Sequence, residues 1–331
     1  MQLLVGVVSC ILFDLGGSPR ALAGEERALT PEKSASASER NVALVIGNGA
    51  YEHAQDLRQA PVDARNVASA LERLGFEGRL VVDATDDRMK KAVDEFRGAL
   101  DGGAVGFFYY SGHGIQVDGE NYLVPVDAEL RFPELASSET LVANKVVAAM
   151  TNAGSELNVM VLDACRNNPW IETWPTRGVA DRNSATSRGL QQMTAPVGAF
   201  LIAFATEPGD VAADSGIYAN ALVRRLSEPC IELPRAFGRV FDDVVLRTGQ
   251  AGGPAQRPWF NIAGGDVAFS RYLAGCQQPP PPPPPPPAPP EGALVELVWV
   301  PGGTFTMGSP PTERGHFDDE GPVHPVSVDG L

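Results

Sequence analysis

Apolar stretches of two kinds alternate along the first three quarters of the chain. Continuous runs such as Asn41-Val-Ala-Leu-Val-Ile-Gly47, Val105 to Tyr110, Asn158-Val-Met-Val-Leu162 and Gly198-Ala-Phe-Leu-Ile-Ala-Phe204 carry no polar face. Such runs are expected of strands covered on both sides. Between them the apolar positions recur at helical spacing. Residues 61 to 74 place Val67, Ala70, Leu71 and Leu74 on one stripe, with Pro61 suited to a first turn and Gly75 to a stop. Residues 87 to 100 do the same with Met89, Val93, Phe96 and Leu100. Further helices are expected near 141–150, 220–226 and 235–248, and shorter strands at Leu80–Val82 and Val267–Phe269. Alternating strands and helices predict an α/β fold: three layers, with helices on both faces of a mostly parallel six-stranded sheet.

The borders of this pattern set the domain organisation. Residues 1–13 are apolar but too short to span a bilayer, and Ala21-Leu-Ala23 precedes Gly24. Residues 1–23 therefore read as a secretory signal, which implies a periplasmic or secreted protein. No Lys or Arg precedes the run and Asp14 ends it, so a cytoplasmic chain stands as the alternative. Residues 24–40 are polar and low in complexity, and a flexible leader is expected there. Residues 279–290 are proline apart from Ala288, a polyproline II rod of about 37 Å at about 3.1 Å per residue. With Cys276 to Gln278 they form a linker over 276–290, which leaves 41–275 as the main domain and 291–331 as a separate segment with strand-like alternation and a glycine turn.

Composition narrows the partners. A chain of 331 residues with 44% hydrophobic and 20% charged positions accommodates one domain of about 200 to 250 residues plus extensions. Its formal net charge of -15 sets it against nucleic acid and anionic membrane, both polyanions, and is compatible with basic peptides or proteins. Of the four cysteines, Cys10 lies in the N-terminal apolar run. In an exported chain Cys230 and Cys276 can pair and leave Cys165 free; in a cytoplasmic one all stay reduced. No Cys-x-x-Cys or His-rich spacing occurs, so neither a metal nor another cofactor is expected. Gly47-Asn-Gly49 lacks the full Gly-x-Gly-x-x-Gly pattern, which weakens a nucleotide-binding reading.

Two predicted strands end in reactive side chains. Tyr109-Tyr-Ser-Gly-His-Gly114 stops one strand at His113, between two glycines, and Asp163-Ala-Cys-Arg166 stops the next at Cys165. In mostly parallel sheets, sites form at the carboxyl ends of neighbouring strands. An imidazole beside a thiol takes its proton or holds it as thiolate, and the amides of Gly114 and Cys165 are candidate donors to an oxyanion. Gly112 is expected to leave room for the imidazole to face the thiol. The bland alternatives are a loop histidine and a small buried cysteine.

These motifs resemble the caspase-like cysteine peptidases, the group of caspases, metacaspases and paracaspases. Asn41-Val-Ala-Leu-Val-Ile-Gly-Asn48, Ala60-Pro-Val-Asp63, Leu74-Gly-Phe76, Asn121-Tyr-Leu-Val-Pro-Val-Asp127, Asn167-Asn-Pro169 and Phe204-Ala-Thr206 follow the family's order over about residues 41 to 273. The bacterial paracaspase-like (orthocaspase) variant is the nearest in pattern. The resemblance implies a caspase-like αβα sandwich, His113 as catalytic histidine, Cys165 as nucleophile, and Asp63 and Asp163 as acids of the primary specificity pocket. Two carboxylates in a partly desolvated pocket call for a cation, hence cleavage after Arg or Lys. For Asp63 the alternative is an exposed acid favoured by the helix dipole. The resemblance also makes 169–190 a processing loop, with self-cleavage at Arg177, Arg182 or Arg188; a loop that stays intact is the alternative. The family's degenerate members suggest a second reading of the whole chain, a non-catalytic peptide-binding or assembly module. Residues 291–331 are similar to the opening of formylglycine-generating-enzyme-like domains, and His316 and His324 are expected in their loops.

Overall fold

The strand that carries His113 is the spine of the molecule. In the computed structural model, which describes residues 24–30, 40–100, 104–165, 169–170, 174, 190–196, 198–207, 215–250, 255–264, 302–307 and 323–328, the chain divides into two compact units, Met1–Gln277 and Gln278–Leu331. In the first unit the order is β1 (Glu26–Leu29), β2 (Asn41–Gly47), α1 (Ala60–Arg73), β3 (Glu77–Val82), α2 (Asp86–Ala99), β4 (Val105–Val117), β5 (Glu120–Leu123), α3 (Ala136–Glu139), β6 (Leu141–Val142), α4 (Ala143–Asn152), β7 (Leu157–Cys165), β8 (Phe200–Phe204), α5 (Ile217–Leu226), α6 (Leu233–Gln250) and β9 (Trp259–Ala263). The main sheet runs β1-β3-β2-β4-β7-β8-β9. Its five central strands are parallel, while β1 and β9 close the edges in antiparallel pairing.

Period-two alternation within the strands builds the layers. Ala43, Val45, Phe107, Tyr109, Val159 and Val161 face one side, where they pack with α1, α5 and α6. Val42, Leu44, Ile46, Phe108, Tyr110, Met160 and Leu162 face the other, with α2 and α4. The helices end where the sequence says they should: Gly75 follows α1 with φ at 88°, left-handed backbone that glycine adopts without a Cβ penalty.

Three expectations are corrected, and one falls outside the described residues. The leader is not wholly flexible, because β1 lies along the edge of β3, with Leu29 buried in the core and Glu26 opposite Val81. Its polar residues read as solvated because their partners are distant in sequence. Arg27 meets Glu72 at 2.5 Å, Glu25 meets Arg65 at 2.7 Å, and Glu26 pairs with Arg79. The added strand makes the main path seven strands rather than six. Second, a strand not expected from the sequence lies at Trp259–Ala263, apolar except at Asn261 and half-buried throughout, so it shows no alternation of faces; the expected Val267–Phe269 lies outside the described residues. Third, β4 does not stop at His113 but continues to Val117, exchanging β7 for β5 as its partner. Fourth, His324 opens β11 (His324–Val328), which pairs antiparallel with β10 (Gly303–Met307) in the second unit. The expected signal at 1–23, the linker at 276–290 and His316 fall outside the described residues.

Leu29→Ala should therefore cost about 2 kcal/mol or more of stability, the range for a buried leucine. Urea denaturation checks this, and removal of residues 24–30 should also increase self-association by exposing the edge of β3. An unchanged midpoint would mean that β1 is not docked.

Candidate active site

Parallel pairing of β4 with β7 begins with Val105 opposite Leu157 and ends with His113 opposite Cys165. Adjacent strands lie about 4.8 Å apart, so the histidine and cysteine positions are immediate neighbours. Beyond this pair β4 turns to β5, with Gly114 opposite Leu123 and the Val124 amide donating to the His113 carbonyl at 3.1 Å. The histidine thus sits where one strand changes partners.

His113 is buried, and a loop after β2 surrounds it. Its backbone N–H donates to Tyr51 Oη at 2.7 Å, and the Tyr51 ring lies 4.5 Å from the imidazole, tilted by 49°. Nε2 is 2.8 Å from the Gln55 carbonyl. A carbonyl only accepts, so Nε2 carries the proton and the lone pair of the neutral ring falls on Nδ1. Trp170 stands edge-on, 6.0 Å away between ring centres. The loop is itself tied down: Asp83 Oδ1 accepts from the amides of Gly49 and Ala50 at 2.8 and 2.9 Å, and the buried Asn48 accepts from the Ala84 amide at 2.9 Å while donating to the Val124 carbonyl at 3.0 Å.

The glycines flanking His113 stand in crowded surroundings. A Cβ on Gly112 would stand 2.6 Å from Tyr110 Oη and 2.7 Å from Tyr51 Oη, so the space it leaves is taken by two tyrosine hydroxyls. A Cβ on Gly114 would meet Leu190 at 3.0 Å and Ala164 at 3.1 Å.

The two acids lie on the α1/α5 side of the sheet. Asp63, in the first turn of α1, is only 4% exposed, which removes the reading of a solvated dipole partner. Its Oδ1 accepts from Gln59 Nε2 at 2.8 Å. Gly216, which caps the start of α5 with φ at 67°, left-handed backbone that favours glycine, packs on the acid: a Cβ there would approach Gln59 Nε2 to 2.6 Å and Asp63 Oδ1 to 2.9 Å. Asp163, half-buried, accepts from Tyr109 Oη at 2.9 Å. Burial first, then the charges of Asp163 and Asp63, holds the Tyr109 phenol well above its ordinary range; burial and Asp163 do the same to Tyr218 on α5. One buried corner therefore collects two acids and two phenols.

A family model, the caspase domain of peptidase C14, matches residues 40–265. The chain belongs to the caspase domain family. The human mucosa-associated lymphoid tissue lymphoma translocation protein 1 is similar at 36% identity over 135 residues, 40% of this chain, and its mouse homolog matches to the same extent. The matched region spans 16% of the length of those relatives. Among solved structures, caspase-1 from Spodoptera frugiperda is similar at 14% identity, covering 73% of this chain and 92% of that one with a TM-score of 0.49. The structure described as pro-sf-caspase-1 is similar at 16% identity over 72% of this chain and 92% of its own, with a TM-score of 0.48.

Within this caspase domain, sequence reasoning missed Tyr51, the Gln55 carbonyl and Trp170 around the imidazole. The available signal was a tyrosine four residues after Gly47, at the carboxyl end of β2. Arg177, Arg182 and Arg188 lie outside the described residues, but described residues on either side of them are held. Trp174 Nε1 donates to the Leu130 carbonyl at 2.6 Å, and Gln191 exchanges two hydrogen bonds with the Asn121 side chain, each 2.7 Å. Cys230, between α5 and α6, is disulfide-bonded; Cys276 lies outside the described residues. No group of three or more His, Cys, Asp or Glu that could hold a metal occurs among the described residues, and no described helix is long and apolar enough to cross a membrane.

The raised phenols give a pH dependence of defined sign. A group whose pKa is higher folded than unfolded contributes stability below its unfolded value, near 10 for tyrosine, and loses it as pH rises further. The urea midpoint should fall above about pH 10, and fall less steeply when Tyr109→Phe and Tyr218→Phe are combined. Equal slopes for the variant and the wild type would count against these two phenols as the cause.

Proposed function

We propose that the chain is a cysteine endopeptidase that cleaves after arginine or lysine, with Cys165 as nucleophile and His113 as general base. The observation that carries this reading is the paired register of the two residues at the last step of the β4–β7 ladder. His113 Nδ1 takes the Sγ proton, and the thiolate adds to the peptide carbonyl, whose oxygen becomes an oxyanion received by the amides of Gly114 and Cys165. The imidazolium returns its proton to the leaving amine as the carbon–nitrogen bond breaks. Water, deprotonated by the same imidazole, then hydrolyses the thioester and restores the thiol.

Asp63 and Asp163 support the choice of a basic side chain. Both charges are felt at the buried Tyr109 hydroxyl, and Asp63 is itself only 4% exposed. An entering guanidinium offsets the cost of that burial and can bond carboxylates in a planar fork.

The test is turnover of fluorogenic peptides ending in Arg, Lys or Asp by the purified chain. Arg and Lys peptides should be cleaved, Cys165→Ala should abolish cleavage, and His113→Ala should lower kcat by roughly 10² to 10⁴. Asp163→Asn should reduce kcat/KM for the Arg peptide by about tenfold or more, the scale of a lost charge-assisted bond. Cleavage of the Asp peptide alone would overturn the pocket assignment. No cysteine-dependent turnover of any peptide would favour a binding or assembly module.

Self-processing at Arg177, Arg182 or Arg188 extends the same reading. With Trp174 and Leu190–Gln191 anchored on either side, the cut pieces should remain associated under native conditions and separate when denatured. Denaturing mass spectrometry of the wild type should show fragments that Cys165→Ala lacks; identical intact masses would sink the idea.

A further inference from the structure

The residue best placed to set the attitude of the histidine is one to which the peptidase reading gives no role. β2 ends at Gly47, opposite Ser111, and the Asn48 amide still donates to the Ser111 carbonyl at 2.9 Å. Two residues further along β4, no residue of β2 remains to pair with His113. The hydroxyl of Tyr51 fills that place and accepts the His113 N–H at 2.7 Å. The same hydroxyl lies 3.4 Å from the Val124 carbonyl, so it also reaches the chain that leaves β5. Its approach depends on glycine at 112, where a Cβ would stand 2.7 Å from Tyr51 Oη.

The ring of Tyr51 does a second task. It lies against the imidazole at 4.5 Å, and its loop, closed by Tyr51 N–H to Asp56 Oδ1 at 3.1 Å and Leu57 N–H to the Gly49 carbonyl at 2.9 Å, also presents the Gln55 carbonyl that holds Nε2. One residue thus touches the histidine through backbone and ring, within the loop that selects its tautomer. An aromatic face beside the imidazole also favours the cation that forms when the ring accepts a proton.

We propose that Tyr51 is a positioning residue for His113, its hydroxyl fixing the backbone at the strand junction and its ring holding the imidazole with Nδ1 as the basic nitrogen. The proposal rests on the peptidase reading for its catalytic consequence, but not for its structural one. A base misplaced by a fraction of an ångström loses rate rather than substrate affinity.

Two variants and two measurements test it. Tyr51→Phe keeps the ring and removes the hydroxyl; Tyr51→Leu removes both. With a cysteine-dependent peptide substrate, Tyr51→Phe should lower kcat on the order of tenfold with KM within about twofold, and Tyr51→Leu should lower it further. Independently of any activity, the His113 Nε2–H proton, assigned by its absence in His113→Asn, should be visible in a ¹⁵N-edited spectrum of the wild type and lost to solvent exchange in Tyr51→Leu. If the wild type cleaves no peptide, the peptidase reading fails while the spectrum still decides the role of Tyr51. Variants that keep both the Nε2–H signal and kcat, and differ only in melting temperature, would overturn the proposal by making Tyr51 structural alone.

Discussion

The pairing of β4 with β7 is the constraint on which the site depends, because its last step sets His113 opposite Cys165. Strand register is discrete: a slip of one residue would carry every side chain of β4 to the other face. Slippage is opposed by the core. Phe107 and Tyr109 fill the α1/α5 layer while Phe108 and Tyr110 fill the α2/α4 layer, all four fully buried. The packing of four aromatic rings thereby fixes the relation of two reactive positions beyond them. The geometry at the strand ends is set by apolar burial several residues away.

Polar groups are drawn into the same region, and each must be satisfied where water is excluded. Asn48, Asp63, Ser111 and His113 are all buried. The hydrogen bonds that satisfy them also arrange the site: Asn48 ties the end of β2 to Ala84 and Val124, Asp83 gathers the amides of Gly49 and Ala50, and Gln59 holds Asp63 against the start of α5. In this corner the contacts that pair buried polar atoms also fix the surroundings of His113.

The central strands and the helices were legible in the chain because they carry strong periodic signals. Asn41–Gly47 is continuously apolar, and residues 61 to 74 keep one apolar stripe, so the expected elements agree with the observed ones to within a few residues. The edges were not legible for a physical reason. Glu26–Leu29 is only two charged residues followed by Ala28 and Leu29, and its strand character comes from the open edge of β3 and from Glu72, Arg65 and Arg79, far along the sequence. Trp259–Ala263 is half-buried throughout and lacks alternation. The run of β4 past His113 is likewise a property of β5, which supplies a new partner where β7 ends.

By itself the amino-acid sequence determined the α/β class, the order of the inner elements, and the two motifs that end in His113 and Cys165, since these follow from local periodicity and residue chemistry. Only the tertiary structure decided that the two positions share the last rung of one ladder, that Asp63 is buried where its charge reaches Tyr109, the hydrogen-bond partner of Asp163, and that the space at Gly112 belongs to the hydroxyls of Tyr51 and Tyr110. Each of those facts is a meeting of residues tens of positions apart, and no local pattern records which partners a folded chain brings together.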